Sequence, residues 1–320
     1  MADSPRKIVF LAAFAALYLI WGSTYLAILF AIETIPPLLM AGSRFLLAGI
    51  IMSFIARRRD TTRTSLAEWR TSLIVGACLL LGGNGGVTLA EQYVSSGLAS
   101  VMVATVPIWV AILAWAMGTA ARPSLIVWTG LTGGLIGVAI LIAPALHFAN
   151  EMSHSVIGML ILLCASFLWS IGSIYSIKAK SVAPPFLAAS QQMICGGALL
   201  TLAGILTGEL PRLDLKRISF LSGGSFIYLV LIGAVVGFTA YIWLLRHCNP
   251  SKVATYAYVN PIVAIILGIV FAGETLTRRT MFAAGLIIGS VALVITMQKV
   301  EPKPLPRDAA LDGVDSIRHA

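Results

Sequence analysis

Charge is scarce in this chain. Only 11% of its 320 residues are charged and 58% are hydrophobic, where soluble domains carry about 25% charged residues. Mean hydropathy is +0.93. These values exclude an ordinary soluble domain and identify an integral membrane protein whose first partner is the lipid bilayer. Cysteine and histidine are equally sparse. Cys78, Cys164, Cys195 and Cys248 form no CxxC, and His147, His154, His247 and His319 fall in loops or at helix ends, so neither a disulfide framework nor a metal site is expected. HExxH, GxSxG, Walker A and paired intramembrane carboxylates are all missing, which speaks against an enzyme and against any cofactor. The net charge of +9 comes from short basic clusters between apolar runs, which act as topology signals rather than a nucleic-acid surface.

A membrane helix needs about 20 predominantly apolar residues. Breaking the sequence at its charged, proline-rich and polar clusters leaves ten candidates, at 8–32, 36–56, 71–91, 95–118, 124–145, 155–178, 184–207, 218–244, 251–272 and 279–298. Arg6-Lys7 and Ala13-Phe14-Ala15 give the N-terminus the outline of a secretory signal, but the apolar run continues to Ile32, long enough to span. Of the 22 basic residues, only Arg212, Lys216, Arg217, Arg278 and Arg279 fall in outer connections when the N-terminus is placed inside, with Arg44 inside a span. The positive-inside rule thus places both termini in the cytoplasm. The charged, proline-rich segment 299–320 is expected to be a disordered cytoplasmic tail.

The chain repeats itself. Setting Trp21 over Trp169 brings Pro36-Pro37 onto Pro184-Pro185, Ala41 onto Ala189 and Gly49 onto Gly197 without a gap. Pro107 likewise falls on Pro261, and Gly133 and Gly137 on Gly285 and Gly289. Two copies of five spans each, 8–145 and 155–298, enter the membrane from opposite sides. The expected fold is therefore an all-α polytopic membrane protein with ten transmembrane helices in two inverted-topology five-helix repeats. Such repeats serve alternating access around a site near the midplane.

The stretches LYLIWGSTYLAI, PPLLMAGSRFLLAG, GNGGVTLAEQ, GLASVMVATVPIWVA, ATYAYVNPIVAIILG and GETLT resemble the EamA-type branch of the drug/metabolite transporter superfamily, and within it the YedA-like inner-membrane proteins. The resemblance runs from about Leu17 to Ile295. It implies a multi-pass protein of the cytoplasmic (inner) membrane that exports small metabolites, with amino acids and their analogues prominent. A broad-specificity drug exporter and an uncoupled facilitator are the alternatives, and a homodimer is compatible with the family. The superfamily's small multidrug-resistance members rely on a glutamate in the first helix, where this chain has Trp21-Gly22-Ser23. Export of hydrophobic cations is disfavoured on that ground.

Several polar residues stand at membrane depth. Arg44 lies about 12 Å into its span, where a charge is costly unless it faces a cavity or a partner. It either binds an anionic group of the substrate, or serves structurally by capping carbonyls or pairing with Glu33 or Glu91, or snorkels to the interface. Its repeat counterpart is Gln192, beside Gln191. Trp21 and Tyr25 share a helix face with Ser23 between them, and Trp169 and Ser173 occupy the matching helix; these either line a pocket or pack helices. Asn84, Tyr256 and Asn260 are further binding candidates. Pro107 and Pro261 are candidate hinges, and Glu91 is the one plausible coupling group among the carboxylates.

Overall fold

The computed structural model describes residues 7–59, 64–118, 122–147, 154–179, 183–247, 253 and 255–297, all in helices, turns and short connections. The expected tail at 299–320 lies outside the described residues. Helix runs through each of the apolar segments marked in the sequence: α1 (Lys7–Ala31), α2 (Pro37–Arg59), α3 (Leu66–Gly76), α4 (Gly85–Ala90), α5 (Ser96–Val103), α6 (Val106–Ala116), α7 (Leu125–His147), α8 (His154–Lys178), α9 (Pro185–Leu206), α10 (Phe220–Tyr228), α11 (Gly237–His247), α12 (Tyr256–Ala272) and α13 (Arg278–Met297). Among the described residues, eight continuous helical stretches are long and apolar enough to cross a bilayer; Leu125–Leu141 and Tyr256–Ala272 are shorter apolar helices. Large apolar side chains such as Phe54, Ile136, Ile227, Val270 and Phe282 are exposed on the outer faces, as a lipid-facing surface requires.

Local chemistry explains where the helices start and stop. Proline opens α2 and α9, where its missing N–H has no intrahelical partner to lose. Ser65 and Glu68 form a capping box that starts α3 at Leu66, before the Leu-rich run that marked this span in the sequence. Gly273, at φ 63°, ends α12 in the left-handed conformation that glycine adopts without strain.

Three spans are composite. α3 and α4 are joined by a π-helical segment, Ala77–Asn84, and α10 and α11 by another, Leu229–Val236. The register that sets Gly133 on Gly285 also sets these two segments on each other residue for residue. π turns carry an inserted residue's worth of slack and concentrate where helices do work. The third composite span breaks at Ala104–Thr105, between α5 and α6, just before Pro107. Pro261 instead sits inside the continuous α12, so the two aligned prolines lie in different local structures.

The packing of helices follows a pattern. α1 lies against α10, its π segment and α11, while α8 lies against α3, its π segment and α4. α1 also packs on α12, and α8 on α5 and α6. α2 packs on α9, α7 on α13 and α5 on α12. The larger buried apolar cluster joins α1, α4, α5, α6, α7, α8 and α13, and a second joins α2 and α9 to the two π-containing spans.

Candidate functional site

A buried polar compartment is built on α2 and the end of the α3–α4 span. Arg44 is 3% exposed. Its Nη2 donates to Asn84 Oδ1 at 2.8 Å, its guanidinium carbon lies 4.4 Å from the centre of the Phe45 ring, and its Nε has no partner. Asn84 is the last residue of the π segment. The Thr88 hydroxyl, one turn on, donates to the Asn84 carbonyl at 2.9 Å, so the polar side chains continue along one face.

Glu91 follows at the C-terminal end of α4. It is also 3% exposed, and neither carboxylate oxygen has a hydrogen-bond partner. The charges of Arg44 and Glu274 act on Glu91, and Glu91 in turn acts on Tyr25. Arg44 and Glu91 nevertheless form no ion pair, since the one pair within 4.0 Å among the described residues joins Arg217 to Asp214. The structural reading in which Arg44 pairs with Glu33 or Glu91 therefore has no counterpart in this conformation, and Glu33 is exposed. A cation fixed only by a neutral amide and an adjacent ring can accept a carboxylate ligand through its remaining donors.

Other candidates lie elsewhere. Trp21 forms an aromatic cluster with Phe238, Tyr241 and Tyr256, at ring-centre distances of 5.4, 5.1 and 5.0 Å. Asn260, in the amide orientation that satisfies its nitrogen, donates to the carbonyls of Tyr256 at 3.2 Å and Tyr18 at 3.3 Å, tying α12 to α1. The Ser23 hydroxyl meets the Tyr228 hydroxyl at 2.6 Å, at the entry to the second π segment. Tyr25 lies between the two groups, an electrostatic neighbour both of Glu91 and of Tyr256 in the Trp21 cluster. Within α8, Ser173 donates to the Trp169 carbonyl at 2.8 Å, which engages its proton in its own helix.

The two tryptophans are placed by glycines of the other half. A Cβ on Gly83 would lie 2.6 Å from Trp169, and one on Gly237 would lie 2.5 Å from Trp21. Each indole thus rests on bare backbone beside a π segment, a close approach that no other residue type permits.

Gln191 is remote from Arg44. Its amide nitrogen donates to Thr64 Oγ1 at 2.8 Å and its oxygen accepts from Ser72 at 3.4 Å. Ser72 and Asn84 lie about 18 Å apart along the span at 1.5 Å per residue, so Gln191 serves the opposite end. Gln192, half-buried beside it, does not join the Arg44 compartment either. Thr88, Tyr228, Tyr241 and Phe238 were not singled out by sequence reasoning. Thr88 had a usable signal in its spacing of one helical turn from Asn84; the other three owe their places to contacts between helices distant in sequence.

The EamA-like transporter family matches this chain twice, over residues 6–143 and 156–296. The chain belongs to the EamA-like transporter family. Among its relatives, the uncharacterized inner membrane transporter YedA of Escherichia coli (strain K12) is 37% identical over 287 residues, covering 88% of this chain and 89% of that protein. The "Probable amino-acid metabolite efflux pump" of Salmonella typhimurium is 26% identical over 303 residues, covering 89% of this chain and 94% of the relative. A solved crystal structure shares the fold, with a TM-score of 0.61 at 18% identity, over 93% of this chain and 100% of the other. The protein is thus a multi-pass membrane transporter with a small-molecule substrate. Membership in the EamA-like family accounts for the duplicated sequence register without reference to any particular cargo.

Proposed function

We propose that this protein is a secondary transporter that exports small polar or amphipathic metabolites, amino acids or their analogues among them, across the cytoplasmic membrane by alternating access. Arg44 is the anchor and holds an anionic group of the substrate. The observation that carries the reading is the buried Arg44 guanidinium, bonded to neutral Asn84 and left with an unpartnered Nε. A permanent cation at this depth is expensive unless it works on a ligand or pathway, and no carboxylate among the described residues lies within 4.0 Å of it in this conformation.

Two inverted five-helix repeats, at 8–145 and 155–298 with both termini in the cytoplasm, would supply the motion. The reading is supported by an exchange relation in the packing: α1 against α10–α11 and α12 answers α8 against α3–α4 and α5–α6, while α2 with α9 and α7 with α13 pair with themselves. Two arrangements of nearly equal energy follow from such a relation, each closing one side. The paired π segments, each braced by a tryptophan of the other half, are the bending points.

Efflux from cells loaded with labelled amino acids, amines and nucleosides tests the reading. Arg44→Gln at equal membrane abundance is expected to abolish export of carboxylate-bearing compounds, and Arg44→Lys to restore it only in part, because a point charge does not reproduce the guanidinium fork. Undiminished efflux in Arg44→Gln overturns the binding role. Efflux of unrelated cations that ignores the mutation favours a broad-specificity exporter instead.

A further inference from the structure

Three glutamates stand at one end of helices α2, α4 and α5, and two of them are explained by capping. Glu209 accepts from the backbone N–H groups of Leu38 at 3.2 Å and Leu39 at 3.0 Å, at the start of α2. Glu274 accepts from the N–H and hydroxyl of Ser96 at 2.7 and 2.6 Å, and from the N–H of Gly97 at 3.0 Å, at the start of α5. Both carboxylates thus meet the positive end of a helix. Glu91 has the reverse situation. It sits at the negative, C-terminal end of α4, buried, with both oxygens unpartnered.

Asn84 and Glu91 are two helical turns apart on one face, about 10 Å along the axis, and a helical side chain leans back toward the preceding turn. Glu91 therefore leans toward the Arg44–Asn84 pair. A buried cation and a buried acid, each with unpartnered atoms, share a compartment without touching. That arrangement complements a small molecule carrying both charges.

We propose that Glu91 is the second half of the substrate site. Its carboxylate takes the ammonium of a zwitterionic substrate of the α-amino-acid class, and a proton takes its place when the substrate leaves. This rests on the reading of Arg44 as the anchor for the substrate carboxylate. On binding, the O–H bond of the Glu91 carboxylic acid breaks, its proton passes to water, and the carboxylate receives the ammonium. Proton and substrate therefore exclude each other, which makes the carrier an exchanger of a zwitterion against a proton. The charged and titratable groups facing Glu91 are Tyr25 from α1, Arg44 from α2 and Glu274 from the α12–α13 connection. α8, packed on α4, carries the exposed His154, stacked 5.9 Å from Tyr93, and the exposed Cys164 beside Gly82 and Gly86. Glu274 is already held by Ser96 and Gly97, which leaves Arg44 as the group that shares the ligand.

The test uses the purified full-length protein, with three probes: a mixture of the standard L-amino acids, the matching deaminated carboxylic acids, and the matching decarboxylated amines. Wild type should be stabilised against heat by the amino acids and only weakly by the other two mixtures. The half-effective concentration should rise about tenfold per pH unit once acid has protonated Glu91. Glu91→Gln should lose the preference for amino acids over carboxylic acids together with this pH dependence; Arg44→Gln should lose binding of both. Glu91→Asp, which keeps the acid, should retain a pH dependence. Wild type alone supplies a further readout, since adding the amino-acid mixture to weakly buffered protein should acidify the medium.

Equal stabilisation by amino acids and carboxylic acids, with Glu91→Gln like wild type, overturns the Glu91 proposal and leaves Arg44 as an anion anchor. Wild-type binding without proton release overturns the exchange. Stabilisation by amines alone, unchanged in Arg44→Gln, overturns the anchor itself, and no stabilisation by any mixture overturns both.

Discussion

Asn84→Asp separates binding from stability at the Arg44 site. In the wild type, Arg44 Nη2 donates to a neutral amide at 2.8 Å, and the guanidinium stays free to prefer a charged ligand. An aspartate at the same position would present a carboxylate of nearly the same size to the same donor. A hydrogen bond to a charged group contributes about 1.5–3 kcal/mol. The bare Coulomb attraction, roughly 4 kcal/mol at 4 Å in a partly polarisable interior, is largely offset by desolvation of the new charge. The internal carboxylate then competes with the substrate's by about 1.5–3 kcal/mol, or roughly 10- to 150-fold in half-saturating concentration. Transport in vesicles reconstituted with equal amounts of protein reads this number, and thermal unfolding in the absence of substrate should show Asn84→Asp at least as stable as wild type. Asn84→Leu is the counterpart: it leaves the buried guanidinium without its bond and should unfold earlier, by about 1.5–3 kcal/mol. An Asn84→Asp protein with wild-type half-saturation would refute the argument, because Arg44 could not then be the group on which the substrate's anion depends.

Gly83→Leu and Gly237→Leu each push a side chain into a tryptophan, Trp169 or Trp21, and should cost about 1–3 kcal/mol of stability by overpacking. Gly224→Ala meets nothing within 4 Å and should stay within about 0.5 kcal/mol of wild type; thermal midpoints compare the three. Glu209→Gln and Glu274→Gln weaken the caps on α2 and α5 and should destabilise by about 0.5–2 kcal/mol. Both should still show a pH dependence of substrate binding, which Glu91→Gln loses, as parallel melting and binding titrations would show. Ser65→Ala removes one side of the capping box at the start of α3 and should cost about 1 kcal/mol with no change in half-saturating substrate.

Much of the candidate site could be named from the sequence, but its grouping could not. Arg44, Asn84 and Glu91 stand out because a polar side chain in an apolar run is conspicuous by itself. Tyr25 and Trp21, four apart on one helix face, suggested a common pocket; Trp21 sits in an aromatic cluster on α11 and α12, and Tyr25 lies between that cluster and Glu91. Gln192 aligned with Arg44 in the repeat, and its neighbour Gln191 is bonded to Thr64 and Ser72 at the far end of the α3 span. The π segments left no mark in composition, since Ala-Cys-Leu-Leu-Leu-Gly-Gly-Asn reads as ordinary helix. Their extra slack is a property of how the span packs.

By itself, the sequence determined that this protein lies in a membrane, which of its segments are helical, and that its two halves share a register. These are consequences of apolar content, capping residues and spacing, all of which act locally along the chain. Only the tertiary structure decided that Arg44 meets Asn84 rather than a carboxylate, that Glu209 and Glu274 are consumed as caps, and that Glu91 is left buried without a partner. Those outcomes depend on which helix faces oppose one another across the bundle. In a membrane that choice turns on close packing and the satisfaction of polar groups between segments far apart in the chain.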